Sequence, residues 1–343
     1  MSQKRVIIYA EDEFCGKSAK LGIGVIRYSD YNIVGIIDST QKGKDVREIL
    51  GTKDEIRFYS QIDECLKFKP EVMIIGVAPR EGKLPDAWRK DIKRAIECGM
   101  DIYSGLHYFL REDKEISDYA QKYNVKIWDL REVTENIPVG FGRVKQIMSK
   151  IILTVGTDCA IGKMTATIEM YRTAQKRGIS SLFIPTGQTG ILCGGFGIAI
   201  DRVIGDFMSG ACEKLILDNY HNEEAVFVEG QGGIYHPGYS AVTLGILHGT
   251  LPTHMILCHD VRRKCVKDSD IPLPSIKKII QAYELLTLDI APAKVVGIAL
   301  NCSNMTNEEA LLHIKNIENE IGLPTTDCVK FGADKLIDAI WTV

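Results

Sequence analysis

The stretch "KIILTVGTDCAIGKMTATIEMYRTAQKRG" (residues 150–178) decides how the chain reads. An aliphatic, β-branched run of strand length ends at Val155. A glycine-bearing loop follows, and from Met164 a helix-like stretch runs to Gly178, a natural helix stop. A tight loop opening a helix aims several backbone N–H groups one way, and the helix dipole adds partial positive charge there. Glycines let an anion approach the backbone, and a lysine adds a mobile point charge. Gly156, Thr157, Asp158, Gly162, Lys163, Met164 and Thr165 are therefore the expected phosphate contacts. The usual pattern is G-x-x-x-x-G-K-[ST]. Here five residues separate Gly156 from Gly162, and Met164 follows the lysine, so the hydroxyl comes one place late at Thr165. The anion seat survives that change; the usual magnesium-binding hydroxyl is put in question. A ligand-free strand–helix turn is the plainer alternative, and the order of strand, glycines, lysine and helix speaks against it.

The same alternation extends in both directions. Downstream, "SSLFIPTG", "EAVFVEGQGG", "THMILCHD" and "AKVVGIALN" are strand-then-loop units, while "SIKKIIQAYELL" and "NEEALLHIKNIENEIG" have amphipathic helical spacing. Upstream, "RVIIYA", "NIVGIID", "EVMIIGVAP", "DIYSG" and "VKIWDL" read as strands, with helices in "GKSAKLGIGVIRYS" and "LPDAWRKDIKRAIECGM". Continuous apolar strands alternating with helices predict an α/β fold of mainly parallel sheets flanked by helices. Two domains are expected, 1–145 and 146–343, meeting around 135–149 in "ENIPVGFGRVKQIMS". The first lacks G-x-G-x-x-G, which argues against a dinucleotide although Asp38 ends a strand where a ribose-binding acid can sit. "GKS" at 16–18 is too short to be a phosphate loop.

A second signature is "VFVEGQGGIYHPGYS" (226–240), where a strand ends at Glu229 before three glycines in four positions. Gly230, Gln231, Gly232 and Gly233 would let a ligand lie against the backbone; a solvated glycine turn is the alternative. "PTGQTG" (185–190) should bring Thr186, Gln188 and Thr189 to the same crevice as Lys163, because ligands of parallel sheets sit beyond the strands' carboxyl ends. Asp201 and Asp206 lie near in sequence, as a second metal ligand or as surface acids. Four histidines, His236, His248, His254 and His259, fall between 236 and 259. Their spacing fits no zinc pattern and no C-x-x-C pair accompanies them. A base or orienting histidine is expected instead, with His236 the best placed.

The 343 residues carry 42 Lys+Arg against 45 Asp+Glu, a net charge of −3, and give no general reason to expect nucleic acid or an anionic membrane as partner. No run approaches the roughly 20 apolar residues of a membrane span. The start, "MSQKRVIIYAEDE", does not read as a signal peptide. The ten cysteines, scattered without a C-x-x-C pair, read as reduced thiols. A cytoplasmic enzyme acting on a small molecule is expected, and symmetric oligomers are common at this size.

"GTD", three residues and "GK", together with "EG-x-GG", resemble dethiobiotin synthetase and its P-loop relatives. That resemblance implies magnesium or substrate-amine binding at Glu229; Thr165, from the loop pattern, and Asp201, from its nearness in sequence, are the companion metal candidates. More broadly, "GLHYFL", "VGTDCAIGKMT", "TGQTG", "AIDRV", "DFMSGACE", "VEGQGG", "HPGYSAVTLGILHG" and "CHD" occur in an order similar to a two-domain bacterial and archaeal family. The family has a Rossmann-like N-terminal and a P-loop C-terminal domain, and most members have long been of unknown function. The likeness covers nearly the whole chain. A branch is described as D-glutamate N-acetyltransferase, which moves acetyl from acetyl-CoA to the amine of a D-amino acid. The resemblance thus implies acetyl-CoA as cofactor; motif position makes the loop the seat of its phosphates, Glu229 or His236 the base beside Lys163, and the 230–233 amides the oxyanion donors. ATP with Mg2+, in a ligase or kinase-like reaction activating a carboxyl or carbamate, is the competing expectation. A nucleotide-binding regulator without chemistry is the third.

Overall fold

The computed structural model describes residues 3–16, 19–77, 84–133 and 136–342. Lys17, Ser18, the tail of "EVMIIGVAP" and Glu135 lie outside that set. The chain divides into two compact units: 1–132 with 191–196, and 133–190 with 197–343.

In the first unit the strands are β1 (Arg5–Tyr9), β2 (Asn32–Ile37), β3 (Phe58–Tyr59), β4 (Val72–Ile75), β5 (Asp101–Ser104) and β6 (Ile127–Asp129). Among them run α1 (Lys20–Tyr28), α2 (Val46–Leu50), α3 (Asp86–Glu97) and α4 (Lys114–Tyr123). The sheet order is β3-β2-β1-β4-β5-β6 and every pairing is parallel, the doubly wound order of dinucleotide-binding folds. β4 is buried along its whole length, which is why it reads as an unbroken apolar run. At the end of β2, Asp38 is fully buried and accepts hydrogen bonds from the N–H groups of Phe14 (3.1 Å) and Thr40 (3.0 Å).

The second unit is built on β7 (Lys150–Gly156), β8 (Ser181–Ile184), β9 (Ala225–Val228), β10 (His254–Asp260), β11 (Lys294–Asn301) and β12 (Thr325–Thr326). Its order, β12-β11-β10-β7-β9-β8, is again all parallel and places β7 between β9 and β10. The helices are α5 (Lys163–Lys176), α6 (Gln188–Gly194), whose residues from Ile191 on belong to the first unit, α7 (Met208–Asn219), α8 (Ser240–Thr250), α9 (Ile276–Leu288), α10 (Asn307–Ile321) and α11 (Asp334–Thr342). Local chemistry sets their ends. Thr306 and Glu309 form a capping box at the start of α10, and Gly322, at φ 78°, ends it. Ser275 caps α9, and Gly178, at φ 78°, follows α5 as the sequence pattern requires. The core against α5 gathers Ile152, Ile161, Met170, Phe227, Ile256, Leu336 and Ile340. Two-residue β3 and β12 are too short to leave a periodic signal.

The connecting segment after residue 135 is fastened to the second unit by an acid that the sequence pattern did not single out. Glu213 on α7 is fully buried and accepts from the N–H of Arg143 (2.5 Å) and of Phe141 (3.3 Å), while Arg143 Nε lies 2.7 Å from its other oxygen. These contacts hold its carboxyl below the usual range against the opposing effect of burial.

Candidate active site

At the carboxyl end of β7 the chain turns through 157–162 into α5. Ala160 takes φ 54° and Gly162 φ 105°, left-handed values that coil the loop back on itself. The first-turn N–H groups of α5 have no partner within the helix, and at a helix N-terminus they are donors available to an anion. Lys163 is buried, and its Nζ donates to the carbonyls of Asp158 (2.7 Å) and Gly232 (2.6 Å). It thereby ties the loop to the glycine turn after β9, and burial pulls its pKa down. Gly156 has no room for a methyl: a Cβ there would lie 2.9 Å from Lys163 Nζ and 3.0 Å from Asp158 O.

Several of the expected loop residues act inward. Thr157 Oγ1 lies 3.0 Å from His259 Nδ1. Asp158 is fully buried and accepts from the N–H of Cys159 and of Lys267, each at 2.7 Å, with Arg263 at 3.1 Å. Tyr283 of α9, also buried, donates to Gly156 O at 2.8 Å and receives Ile234 N–H at 3.3 Å, clasping both glycine segments. Met164 and Thr165 occupy the first turn of α5, half-buried. The hydroxyl pair deep behind the loop is instead Thr154–Thr167, at 2.8 Å.

Glu229 stands just beyond β9. One carboxyl oxygen accepts from the N–H groups of Thr186 (3.1 Å) and Gly187 (3.2 Å). Thr186 Oγ1 donates to the Glu229 carbonyl at 2.7 Å, and Gln231 Nε2 bonds Thr186 O. Burial raises the Glu229 pKa to about 7; the two N–H groups and Lys163 oppose that rise, and the charge of Asp201 assists it. Asp201 lies in a short turn, Ile200–Arg202, exposed to solvent but electrostatically coupled to Glu229. Gly190, at the start of α6, presses so closely on Glu229 that a side chain there would displace the carboxyl. Gln188 and Thr189 open the same helix, half-buried. Gly230 donates to Thr154 Oγ1 at 3.0 Å and packs on the Thr154 carbonyl; Gly232, at φ 68°, and Gly233 crowd Tyr239 and Asp158 in turn.

The histidines separate by place. His254 opens β10 at the sheet's amino end and bonds Thr253 at 2.8 Å, while His248 meets Leu286 O at 3.3 Å. His259 reaches the loop through Thr157, and burial depresses its pKa. His236 follows the glycine turn and packs against Tyr239, the rings tilted by 43° with centroids 4.5 Å apart. Its Nδ1 accepts Gly238 N–H at 3.1 Å; its Nε2 is buried without a hydrogen-bond partner. Among the described residues, Asp158, Cys159 and His236 place ligand-type atoms within 4.8 Å of one another. Cys159, Arg263 and Tyr283 escaped sequence reasoning, the last because it sits in an ordinary helix far along the chain.

A glycine loop, a buried cation and a buried acid at the switch point of a parallel sheet define a P-loop enzyme fold joined to a doubly wound domain. The chain belongs to the DUF1611 family: the DUF1611 P-loop domain, a domain of unknown function, matches residues 138–337, and its Rossmann-like N-terminal companion matches 39–133. It is 35% identical over 328 residues to the D-glutamate N-acetyltransferase of Tritonibacter scottomollicae, covering 95% of each chain. A D-glutamate N-acetyltransferase from a Pseudoalteromonas species is 35% identical over 284 residues, 80% of this chain and 83% of the relative. The crystal structure of a DUF1611 family protein from Anabaena variabilis superposes with TM-score 0.95 at 35% identity, covering 99% of this chain and 100% of that one. No helix among the described residues is long and apolar enough to cross a membrane.

Proposed function

We propose that this protein is an N-acetyltransferase that moves an acetyl group from acetyl-CoA to the amine of a small acidic amino acid, D-glutamate in the first instance. The observation that carries the reading is its likeness, over 95% of its length, to a D-glutamate N-acetyltransferase. The chemistry of the site supports it. Amine acetylation needs a base for the ammonium, and Glu229, with a pKa of about 7, is partly ionised and still basic at neutral pH. It also needs donors for the oxyanion that forms on the thioester carbonyl; with the Gly230 N–H engaged by Thr154, the backbone N–H groups of Gln231, Gly232 and Gly233 serve. The loop amides and Lys163 make an anion seat; the phosphates of the donor and the carboxylates of the acceptor are both anions of the kind such a seat binds.

The ATP-dependent alternative fares less well on residue chemistry. Glu229 resists carrying charge and is pinned by two N–H groups, which suits a proton carrier better than a magnesium ligand. The test pairs a melting experiment with an assay. Acetyl-CoA and ATP with Mg2+ are added separately to wild type, and thiol release is followed with and without D-glutamate. D-glutamate-dependent thiol release together with an acetyl-CoA melting shift is the expected result. A shift with ATP and Mg2+ alone would replace this reading with the ligase one.

A further inference from the structure

We infer that Cys159 is an acyl-accepting nucleophile, so that acetyl transfer passes through an acetyl–cysteine thioester; this rests on the acetyl-transfer reading above. The observation is the convergence of Asp158, Cys159 and His236, whose polar atoms lie within 4.8 Å of one another where the phosphate loop meets the glycine turn.

Such a trio suits either a soft metal ion or a nucleophile, and two observations choose between them. The first is the histidine's proton. His236 Nδ1 accepts the Gly238 N–H, so the neutral ring carries its hydrogen on Nε2, which is buried and without a partner. A metal ligand needs the opposite tautomer, with the outer nitrogen donating. A buried N–H donor without an acceptor suits a group that turns anionic during reaction: a cysteine thiolate or the oxyanion of a thioester under attack. The second is the surrounding charge. Arg263 sits on Asp158 at 3.1 Å, and Lys267, Lys163 and Arg263 all act on Cys159 to favour its thiolate, against the neighbouring Asp158 charge, which disfavours it. These cations repel a metal ion and attract an anion. Burial, the largest influence, and the Asp158 charge outweigh these cations and keep the resting group a thiol.

The step balances without any further reagent. Cys159 Sγ attacks the acetyl carbonyl of acetyl-CoA. The new C–S bond forms, the C–S bond to CoA breaks, and the thiol proton leaves on the CoA sulfur, with the Asp158 carboxylate the near acceptor that passes it across. The free amine then attacks acetyl-Cys159, a C–N bond forms, the C–S bond breaks, and the proton shed by the nitrogen returns to the cysteine sulfur. Cys159 belongs to the loop itself, so a donor whose thioester reaches it cannot also lay its phosphates there, a whole pantetheine arm away. The loop amides and Lys163 are then the seat of the acceptor's carboxylate.

The test is to mix the protein with acetyl-CoA in the absence of acceptor, quench, and read the intact mass and peptide map. Wild type should gain one acetyl on Cys159, labile to neutral hydroxylamine and discharged by D-glutamate, and its initial-rate plots should be parallel. Cys159→Ala, shown to melt as wild type does, should lose the label and at least a hundredfold in turnover; Cys159→Ser should take up acetyl slowly as a stable ester. Wild-type turnover by Cys159→Ala with no label on either protein overturns the relay and leaves acetyl transfer standing. If acetyl-CoA is neither bound nor consumed, the acetyl-transfer reading falls and the relay with it. A metal that copurifies with wild type and is lost from both Cys159→Ala and His236→Ala overturns the relay in favour of a metal site.

Discussion

Each of the two parallel sheets ends the strand beside its first strand in a buried acid, and the two acids are used in opposite ways. Asp38, after β2, spends both carboxyl oxygens on local structure: one takes Phe14 N–H, the other Thr40 N–H and its hydroxyl. Glu229, after β9, takes two N–H groups on one oxygen and faces a buried lysine and a turn of close-packed glycines. The first arrangement closes a loop. The second holds a carboxyl whose proton is labile near neutrality. The same sheet geometry therefore supplies only the position; the neighbours of the acid decide whether it builds or reacts.

The sharpest way to break that contrast is Glu229→Gln, which keeps the shape and removes the titration. Turnover should fall by about 10²–10⁴-fold, the usual contribution of a positioned base. In wild type, turnover should rise through pH 7 as the carboxyl ionises, and that limb should vanish in the variant. Stability offers a second readout. The folded pKa of about 7 lies above the ordinary 4.5, so the folded state holds the proton more tightly than the unfolded chain. The stabilisation is complete below pH 4.5 and is lost as pH rises to about 7, worth up to roughly 3 kcal/mol. The melting temperature of Glu229→Gln should show a correspondingly weaker decline over that window; an identical decline would mean that another group titrates there.

Lys163→Ala comes next in size. Removing the cation should cost on the order of 10²-fold in turnover and abolish the melting shift that substrate gives wild type. A variant that keeps the shift would place the anion elsewhere and leave Lys163 as a tie between Asp158 and Gly232.

Much of this was legible in the sequence because it rests on local chemistry. Loop, lysine and helix are contiguous, and Glu229 precedes its glycines, so one-dimensional patterns could mark them. The remainder depends on contacts across long separations. Tyr283 reaches Gly156 from 127 residues away, and Arg263 reaches Asp158 from 105. Nothing in an amphipathic helix announces that one tyrosine will seal a phosphate loop. His254 and His259 stand near opposite ends of one strand, and only the direction of β10 shows that one lies at the amino end of the sheet and the other at the loop.

Glycine packing tests the frame of the reactive side with a smaller effect. A methyl at residue 230 would fall on the Thr154 carbonyl, so Gly230→Ala should lower the denaturant midpoint by the equivalent of about 1–3 kcal/mol, the range for overpacking. Gly205, whose Cβ position is open and whose φ is not left-handed, is the control. Gly205→Ala should stay within about 0.5 kcal/mol of wild type. Equal effects would mean that the turn after β9 yields easily and does not fix the 230–233 amides.

The smallest expected change probes the other sheet. Asp38→Asn retains volume but turns one acceptor into a donor, which then faces Phe14 N–H or the Thr40 pair. One buried hydrogen bond is lost, at a cost of about 1–2 kcal/mol in a denaturation curve, without a new pH dependence. Turnover and the acetyl-CoA melting shift should stay close to wild type, because an acid fully engaged by its own loop has nothing left to offer a ligand. A loss of the shift at preserved stability would show that the Asp38 loop contributes to binding, and the contrast between a building acid and a reacting one would then fail at its quieter end.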